Sequence, residues 1–275
     1  MHDATRYVRA TVAYDGTDFA GFQWQSNGRT VQGTLEDALA RVCGIRLDEA
    51  PSRIIGAGRT DAGVHAAGQV IGFETIWRRD LSALHRALNA VLPEDVAVLE
   101  LGPAQTEWHA RFSAVRRVYR YRVLNRPIRW PLERRLTLHV EKPLNLEAMN
   151  AGAARLIGER DFASFGQPMI RTDQQGLEHS GSTVRCIEEA VWQQDGEHFT
   201  FDVTGNAFLR GMVRTIVGTL LQVGLGQWPD DRVSEILAAR NRAVTASPAP
   251  ACGLCLIRVD YESGPSMVFE GAVET

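Results

Sequence analysis

GAGRTDAGVH, residues 56–65, is the stretch that carries the most specific information in this chain. It packs three glycines, one guanidinium and one carboxylate into ten residues. The apolar pair Ile54-Ile55 precedes it and residues 69–74, QVIGFE, follow it, so a strand is predicted on either side. The glycines therefore belong to a loop at strand ends, where the backbone can adopt positive φ and a ligand can approach closely. Asp61 stands in the middle of that loop.

Three general interpretations of this loop compete. A dinucleotide-binding fingerprint would need glycine where Asp61 stands, and a P-loop would need Gly-Lys-Ser/Thr, so both phosphate-binding motifs are excluded. A metal site built on Asp61 and His65 has no third ligand nearby in the sequence. From composition alone, the favoured interpretation is a structural turn in which Asp61 accepts backbone hydrogen bonds and Arg59 is solvated.

Residues 58–65, GRTDAGVH, resemble the signature of the TruA family of tRNA pseudouridine synthases. This resemblance implies that Asp61 is the catalytic residue. One departure is Phe22, where the family usually has tryptophan, although an aromatic ring is kept. Further segments resemble the same family, so that the likeness extends from residue 7 to residue 261: residues 14–17, 21–25, 31–32, 108–114, 161–165, 206–208, 212–214, 216–218, 253–256 and 259–261.

Composition is that of an ordinary globular protein. The 275 residues suit one large or two ordinary domains, and the hydrophobic and charged fractions are 44% and 23%. No apolar run approaches the ~20 residues of a membrane span, and the N-terminus has no hydrophobic signal core, so a cytoplasmic protein is expected. The net charge of −3 does not indicate nucleic-acid binding by itself.

The cysteines indicate neither a metal nor a redox site. Cys252 and Cys255 form a C-x-x-C motif, but a structural zinc would need four ligands and no second pair exists. A thioredoxin-like site would open a helix after a strand, whereas this motif leads into a predicted strand. We therefore expect free thiols, no metal and no cofactor.

The segment from Arg111 to Arg122 holds five arginines and no acidic residue. Guanidinium groups suit phosphates and aromatic rings suit unstacked bases, so the segment fits an RNA surface. A strand with solvated arginines and core tyrosines fits it equally well. We expect Arg111, Arg116 and Arg120 to bind RNA. The resemblance implies that Tyr119 lies against the target uracil, whereas Tyr121 is expected in the core.

A helix is predicted over about residues 207–223, with Phe208 and Met212 in its core stripe. The helix would place Arg210 and Arg214 four residues apart on the same face. Two solvent-exposed arginines without a function would show the same spacing. The resemblance implies that Arg214 pairs with the catalytic aspartate and that Leu254 contacts the substrate. Arg59, from the same loop as Asp61, is expected to steer or replace the flipped base.

The remaining elements are predicted from periodicity and turn signals. Residues 167–182 are polar and read as a surface loop that could touch RNA, and Asp195-Gly196 indicates a hairpin. Gly102–Gln105 suggests a junction between halves 1–104 and 105–275. The resemblance implies an α+β fold, the pseudouridine synthase fold, whose two related α/β halves have mainly antiparallel sheets and form a central cleft. Further helices are predicted at 34–44, 80–91, 145–158 and 230–239, and further strands at 7–14, 95–101, 183–193 and 197–203.

The activity implied by the resemblance is isomerisation of uridines at positions 38–40 of the tRNA anticodon stem-loop, by a homodimer with no membrane attachment. The reaction breaks the N-glycosidic bond, turns the base and rejoins it through carbon, and it requires no metal or redox cofactor. One carboxylate can serve as nucleophile or as base, and an arginine partner keeps it ionised. A synthase acting on other RNAs and a non-catalytic RNA-binding protein are the alternatives; the presence of Asp61, Tyr119 and Arg214 argues against the second.

Overall fold

A computed structural model describes residues 5–50, 53–105, 107–168, 170–172, 178–262 and 264–265. Within these residues the chain forms thirteen strands and five α-helices. In chain order they are β1 Arg6–Tyr14, α1 Val31–Cys43, β2 Ile55–Gly56, β3 His65–Thr75, α2 Leu81–Val91, β4 Val96–Pro103, β5 Ala114–Asn125, β6 Leu138–Val140, α3 Leu146–Ala154, β7 Gly158–Asp161, β8 Ile170–Thr172, β9 Glu178–Ser180, β10 Val184–Asp195, β11 His198–Gly205, α4 Met212–Gly224, α5 Arg232–Ala239, β12 Leu254–Tyr261 and β13 Gly264–Pro265.

The chain divides into two compact units. Unit 1 comprises Met1–Val115 together with Cys255–Thr275, and unit 2 comprises Arg116–Leu254. The sequence-based division placed the junction at residue 104 and kept the last strand in the second half. In the structure that strand returns to unit 1, where it pairs with β3. Each unit combines helices with a mainly antiparallel sheet, as the α+β prediction required.

Unit 1 is built on β1, which is hydrogen-bonded in antiparallel fashion to β4 on one side and to β3 on the other. The other edge of β3 pairs with β2 in antiparallel and with β12 in parallel orientation. Alternate residues of β1, from Val8 to Tyr14, are buried, which is the face that the sequence pattern predicted. The connection between β2 and β3 is the glycine-rich loop that contains Asp61.

Helix α1 begins at Val31, three residues before the start at Thr34 that the sequence indicated. Thr30 is the N-cap, and its side chain accepts a hydrogen bond from the Gly33 N–H at 3.2 Å. The N–H of Val31 donates to the Gly21 carbonyl at 3.2 Å. The first N–H of the helix has no acceptor within the helix, and it is bonded instead to residues 19–22, the segment that also contacts the Asp61 loop.

Unit 2 contains the sheet order β5–β11–β10–β7, antiparallel throughout, with β6 joined in parallel to β5. The predicted hairpin at Asp195-Gly196 is confirmed: it joins β10 to β11, and Gly196 has the positive φ of 56° that such a turn favours. Asn145 caps α3 as expected, but the helix ends at Ala154 rather than at Gly158, which instead opens β7.

Two further predictions in unit 2 were wrong in detail. Helix α4 starts at Met212 behind Gly211, whose φ is 73°, so Phe208 and Arg210 precede the helix rather than lie on it. Arg210 is held instead by two backbone hydrogen bonds with Gln167. The predicted surface loop at 167–182 contains the paired strands β8 and β9, while residues 169 and 173–177 lie outside the described residues.

No helix in the part of the chain that the structure describes combines the length and apolarity that a membrane span requires.

Glu36 links α1 to the segment that leads into the Asp61 loop. It is buried, with 5% exposure, and its Oε1 accepts hydrogen bonds from the Ile54 N–H at 3.0 Å, from Gln32 Nε2 at 2.9 Å and from Arg53 Nε at 2.9 Å. A single carboxylate thus satisfies donors from the helix and from residues 53–54, immediately before β2. Removing it would leave a buried backbone N–H without an acceptor.

Glu36→Ala is therefore expected to destabilise the protein by about 2 kcal/mol. The matched control is Glu235→Ala, because the Glu235 side chain is 59% exposed and pairs with Arg232 one turn earlier on α5. That change should alter stability by less than about 0.5 kcal/mol. Urea denaturation of both variants measures the difference, and equal midpoints would contradict the role given to Glu36.

Candidate active site

The loop that carries Asp61 closes the β2–β3 hairpin of unit 1. The Ala57 N–H donates to the Val70 carbonyl at 2.8 Å, and Gln69 Nε2 donates to the Gly58 carbonyl at 2.9 Å. Beyond these bonds Arg59 is exposed and Asp61 is half-buried. The hairpin therefore holds the base of the loop while its two charged side chains remain accessible.

The main chain of this loop is bonded to the main chain of residues 19–22. The Phe22 N–H donates to the Thr60 carbonyl at 3.1 Å, and the Gly63 N–H donates to the Phe19 carbonyl at 3.2 Å. These two bonds bracket Asp61, one residue before it and two residues after it. The backbone at Asp61 is thus fixed by a second segment as well as by its own hairpin.

Two glycines allow this close approach. A Cβ on Gly16 would lie 2.0 Å from the Val64 carbonyl oxygen, well inside van der Waals contact. A Cβ on Gly21 would lie 2.9 Å from the Thr60 carbonyl oxygen, and Gly21 also has a φ of 107°. Any side chain at either position would push residues 16–22 away from the loop.

Buried polar side chains flank Asp61 on both sides. The Thr60 hydroxyl lies 2.9 Å from the Tyr14 hydroxyl. His65 is 5% exposed, and its Nδ1 accepts the Gly16 N–H at 3.1 Å and lies 3.1 Å from Asp15 Oδ1. These contacts fix the residues that hold the loop in place, so the Asp61 carboxylate is presented from a preorganised support.

Among the described residues, no three His, Cys, Asp or Glu side chains form a group that could hold a metal ion. Cys252 belongs to unit 2, where its Sγ–H donates to the Thr137 carbonyl at 3.6 Å. Burial raises the pKa of the Cys252 thiol, so the group is protonated at neutral pH.

Tyr119 lies in β5 of unit 2 and is buried, with 8% exposure. The Phe208 ring meets it edge-on, with the ring centroids 5.1 Å apart and the planes at 82°. Phe208 thus packs against Tyr119. The sequence analysis missed this contact because it assigned Phe208 to the core stripe of a helix.

Arg214 lies in the first turn of α4, and its side chain is oriented by a main-chain acceptor. Its Nε donates to the Ala249 carbonyl at 2.7 Å, while the Ala249 N–H donates back to the Arg214 carbonyl at 2.9 Å. The same segment lies directly on the helix, because a Cβ on Gly218 would be 2.1 Å from the Ser247 carbonyl oxygen. A guanidinium held at Nε has its orientation fixed, which favours recognition of a carboxylate or phosphate by the terminal nitrogens.

Tyr121 anchors the residue next in sequence to Ala249. It is fully buried, and its hydroxyl donates to the Pro250 carbonyl at 2.8 Å. Burial, followed by the effect of Cys252, raises the pKa of this hydroxyl above its ordinary range. Tyr121 is therefore a core residue, as the sequence suggested. Leu254, predicted to contact the substrate, begins β12 and is 5% exposed.

The arginine-rich strand acquires acidic partners that its own sequence lacks. Arg120 forms two hydrogen bonds with the Asp202 carboxylate, at 2.7 and 2.8 Å, and Arg116 Nε lies 2.5 Å from Glu188 Oε2. Asp202 stands opposite Arg120 in β11. These pairs weaken the positive field that the sequence implied for the strand. Arg111 lies in unit 1, with its guanidinium carbon 5.8 Å from the centre of the Phe112 ring.

Comparison with known proteins completes the description of the site. Residues 10–113 and 153–262 match the model of a family described as tRNA pseudouridine synthase. A protein of Halalkalibacterium halodurans named tRNA pseudouridine synthase A is 41% identical over 254 residues, which is 92% of each chain. Proteins of the same name from Roseiflexus castenholzii and Acidiphilium cryptum are 45% and 42% identical; the matches cover 93% and 92% of this chain and 91% and 95% of theirs. The matched ranges contain Asp61 and Arg214, together with the segment that supports each of these residues. This chain belongs to the tRNA pseudouridine synthase family.

Proposed function

We propose that this protein is a tRNA pseudouridine synthase, an isomerase that converts uridines at positions 38–40 of the anticodon stem-loop to pseudouridine. The observation that carries the proposal is the position of Asp61, at the centre of a loop fixed on both sides, in a chain that belongs to this family. Such a support suits a side chain that must meet a reacting base in one geometry.

Asp61 is the catalytic carboxylate of this proposal. The reaction breaks the bond between C1′ of the ribose and N1 of uracil, and it forms a bond from C1′ to C5. A carboxylate can attack the ribose or the base as a nucleophile, or it can remove a ribose proton. C5 then loses a proton and N1 gains one, so the product is an isomer of the substrate.

Unit 2 supplies the other two groups. Arg214 provides the guanidinium that pairs with the catalytic carboxylate. Its Nε donates to the Ala249 carbonyl, which fixes the orientation of the guanidinium. Tyr119 provides the ring that lies against the target uracil, supported from its edge by Phe208. Arg59 is the exposed cation that steers the flipped base or takes its place, and Leu254 contacts the substrate.

The finer parts of the proposal concern partners and location. We assign phosphate contacts to Arg111, Arg116 and Arg120. The Arg116 side chain is 51% exposed, compared with 32% for Arg120. The protein acts in the cytoplasm as a homodimer whose bound tRNA spans both subunits. These statements rest on the family resemblance and on the arginine-rich segment.

Asp61→Asn should abolish isomerisation while leaving fold and tRNA binding intact, because the amide keeps the shape of the side chain and removes the charge. Release of tritium from 5-tritiated uridine in tRNA should fall by about 10³-fold or more. Asp48→Asn is the control, since Asp48 is an exposed carboxylate paired with Arg46 in the same unit. Tritium release by Asp61→Asn at a rate comparable with that of the control would show that Asp61 is not the catalyst.

Tyr119→Phe and Tyr121→Phe should have opposite effects. Loss of the Tyr119 hydroxyl should slow single-turnover isomerisation by about 10²-fold or more, because the proposal gives that hydroxyl a part in moving the C5 proton, and stability should change little. Loss of the Tyr121 hydroxyl leaves the Pro250 carbonyl without its donor and should cost about 1 kcal/mol of stability, with little kinetic effect. Rates and melting curves of both variants decide the matter. The assignment is wrong if only Tyr121→Phe loses turnover.

Arg116 should bind phosphate at the expense of its pair with Glu188. Arg116→Ala should weaken tRNA binding and reduce the slope of log K against log salt by about 0.7–0.9, the contribution of one phosphate. Glu188→Gln should strengthen binding because it releases the guanidinium. Arg120→Ala should have a smaller effect, since Nε and Nη2 of Arg120 already donate to the Asp202 carboxylate. Titrations at several salt concentrations that show the same slope for Arg116→Ala and the unchanged protein would place the RNA surface elsewhere.

A further inference from the structure

Residues 109–113 form a turn that is held by four hydrogen bonds. The Nδ1 atom of His109 accepts the N–H groups of Arg111 at 3.1 Å and Phe112 at 3.2 Å. The His109 N–H donates to the Ser113 hydroxyl at 3.0 Å, and the Ser113 N–H donates to the His109 carbonyl at 3.0 Å. The imidazole is thus a fixed part of the turn.

The turn is also anchored from below. Ala110 is fully buried, and its carbonyl accepts a hydrogen bond from the Tyr261 hydroxyl at 2.7 Å. The ring of Trp108, just before the turn, lies 5.4 Å from the Tyr261 ring and 6.1 Å from the Tyr7 ring. A core cluster of unit 1 therefore sets the position of a turn whose tip faces solvent.

Phe112 stands at that tip with 69% of its surface exposed. Its ring stacks on the His109 imidazole, with centroids 4.4 Å apart and an interplanar angle of 29°, and the Arg111 guanidinium carbon is 5.8 Å from its centre. None of the four hydrogen bonds of the turn uses the Phe112 side chain, so the ring is not needed to form the turn. Isolated exposed apolar residues are common. A ring already stacked and bordered by a guanidinium is instead a preorganised flat surface.

We propose that this turn is a stacking platform for an unpaired nucleobase of the tRNA, distinct from the target uridine that the proposed function assigns to Tyr119. Flat aromatic faces and guanidinium groups are what proteins use to hold unstacked RNA bases, and every base offers a π-face to such a surface. Arg111 lies beside the ring, where it can meet the phosphate or the face of the same nucleotide. The inference rests on the proposed function, because it takes tRNA as the ligand.

Phe112→Leu keeps an apolar side chain and removes the flat face, so it tests stacking rather than hydrophobicity. It should weaken tRNA binding by about 5- to 150-fold, which is the range measured for one stacked base. Phe112→Trp should keep the affinity, and the emission that its added indole contributes over the unchanged protein should be quenched by tRNA. Leu132→Ala is the control, because it removes apolar surface at a side chain that is 82% exposed. Its tRNA affinity should be unchanged.

Equal tRNA affinity for Phe112→Leu and the unchanged protein would overturn the proposed platform. A change of oligomeric state in Phe112→Leu without tRNA would also overturn it, because the ring would then contact a second copy of the chain. The test is separable from the proposed function. If the unchanged protein binds tRNA but forms no pseudouridine, the proposed function fails, whereas a loss of affinity in Phe112→Leu still supports the platform. At saturating tRNA, Phe112→Leu should isomerise at the normal single-turnover rate.

Discussion

The main chain of the Asp61 loop lies directly against the main chain of residues 16–22, and the rest of unit 1 is arranged around this contact. Two backbone hydrogen bonds bracket Asp61, and a side chain at Gly16 would have to occupy the space of the Val64 carbonyl. Helix α1 contributes by donating its first N–H to the Gly21 carbonyl. A catalytic carboxylate works best when its support does not have to reorganise during the reaction. The density of backbone contacts around Asp61 meets that requirement.

Unit 2 uses the same device at Arg214. The guanidinium is oriented by the Ala249 carbonyl, and the Tyr121 hydroxyl holds the neighbouring carbonyl of Pro250. Gly218 allows this segment to lie on the helix without an intervening side chain. Main-chain groups are suitable supports because they cannot change rotamer. In each unit, then, the proposed functional side chain projects from backbone that glycine allows to pack closely.

Features encoded by neighbouring residues could be predicted from the sequence. The helix starts near Asn145 and Asp80, the turn at Asp195-Gly196 and the loop position of Asp61 all depend on short stretches of chain. The start of α4 was misplaced, because Phe208 satisfies helical spacing although its ring packs on Tyr119 instead.

Features that depend on distant residues could not be predicted. Glu188 and Asp202 lie on other strands of the sheet and pair with Arg116 and Arg120, and no pattern near those arginines in the sequence indicates these partners. A main-chain acceptor such as the Ala249 carbonyl has no sequence signature, since every residue carries one.

The most direct measurement of the proposed activity is carbodiimide-stop mapping of unmodified tRNA transcripts that carry uridine at only one of positions 38, 39 and 40, after incubation with the purified protein. The account predicts a pseudouridine stop at each of these positions and none at uridines elsewhere in the tRNA. Stops confined to other positions, or no stops at all, would contradict it.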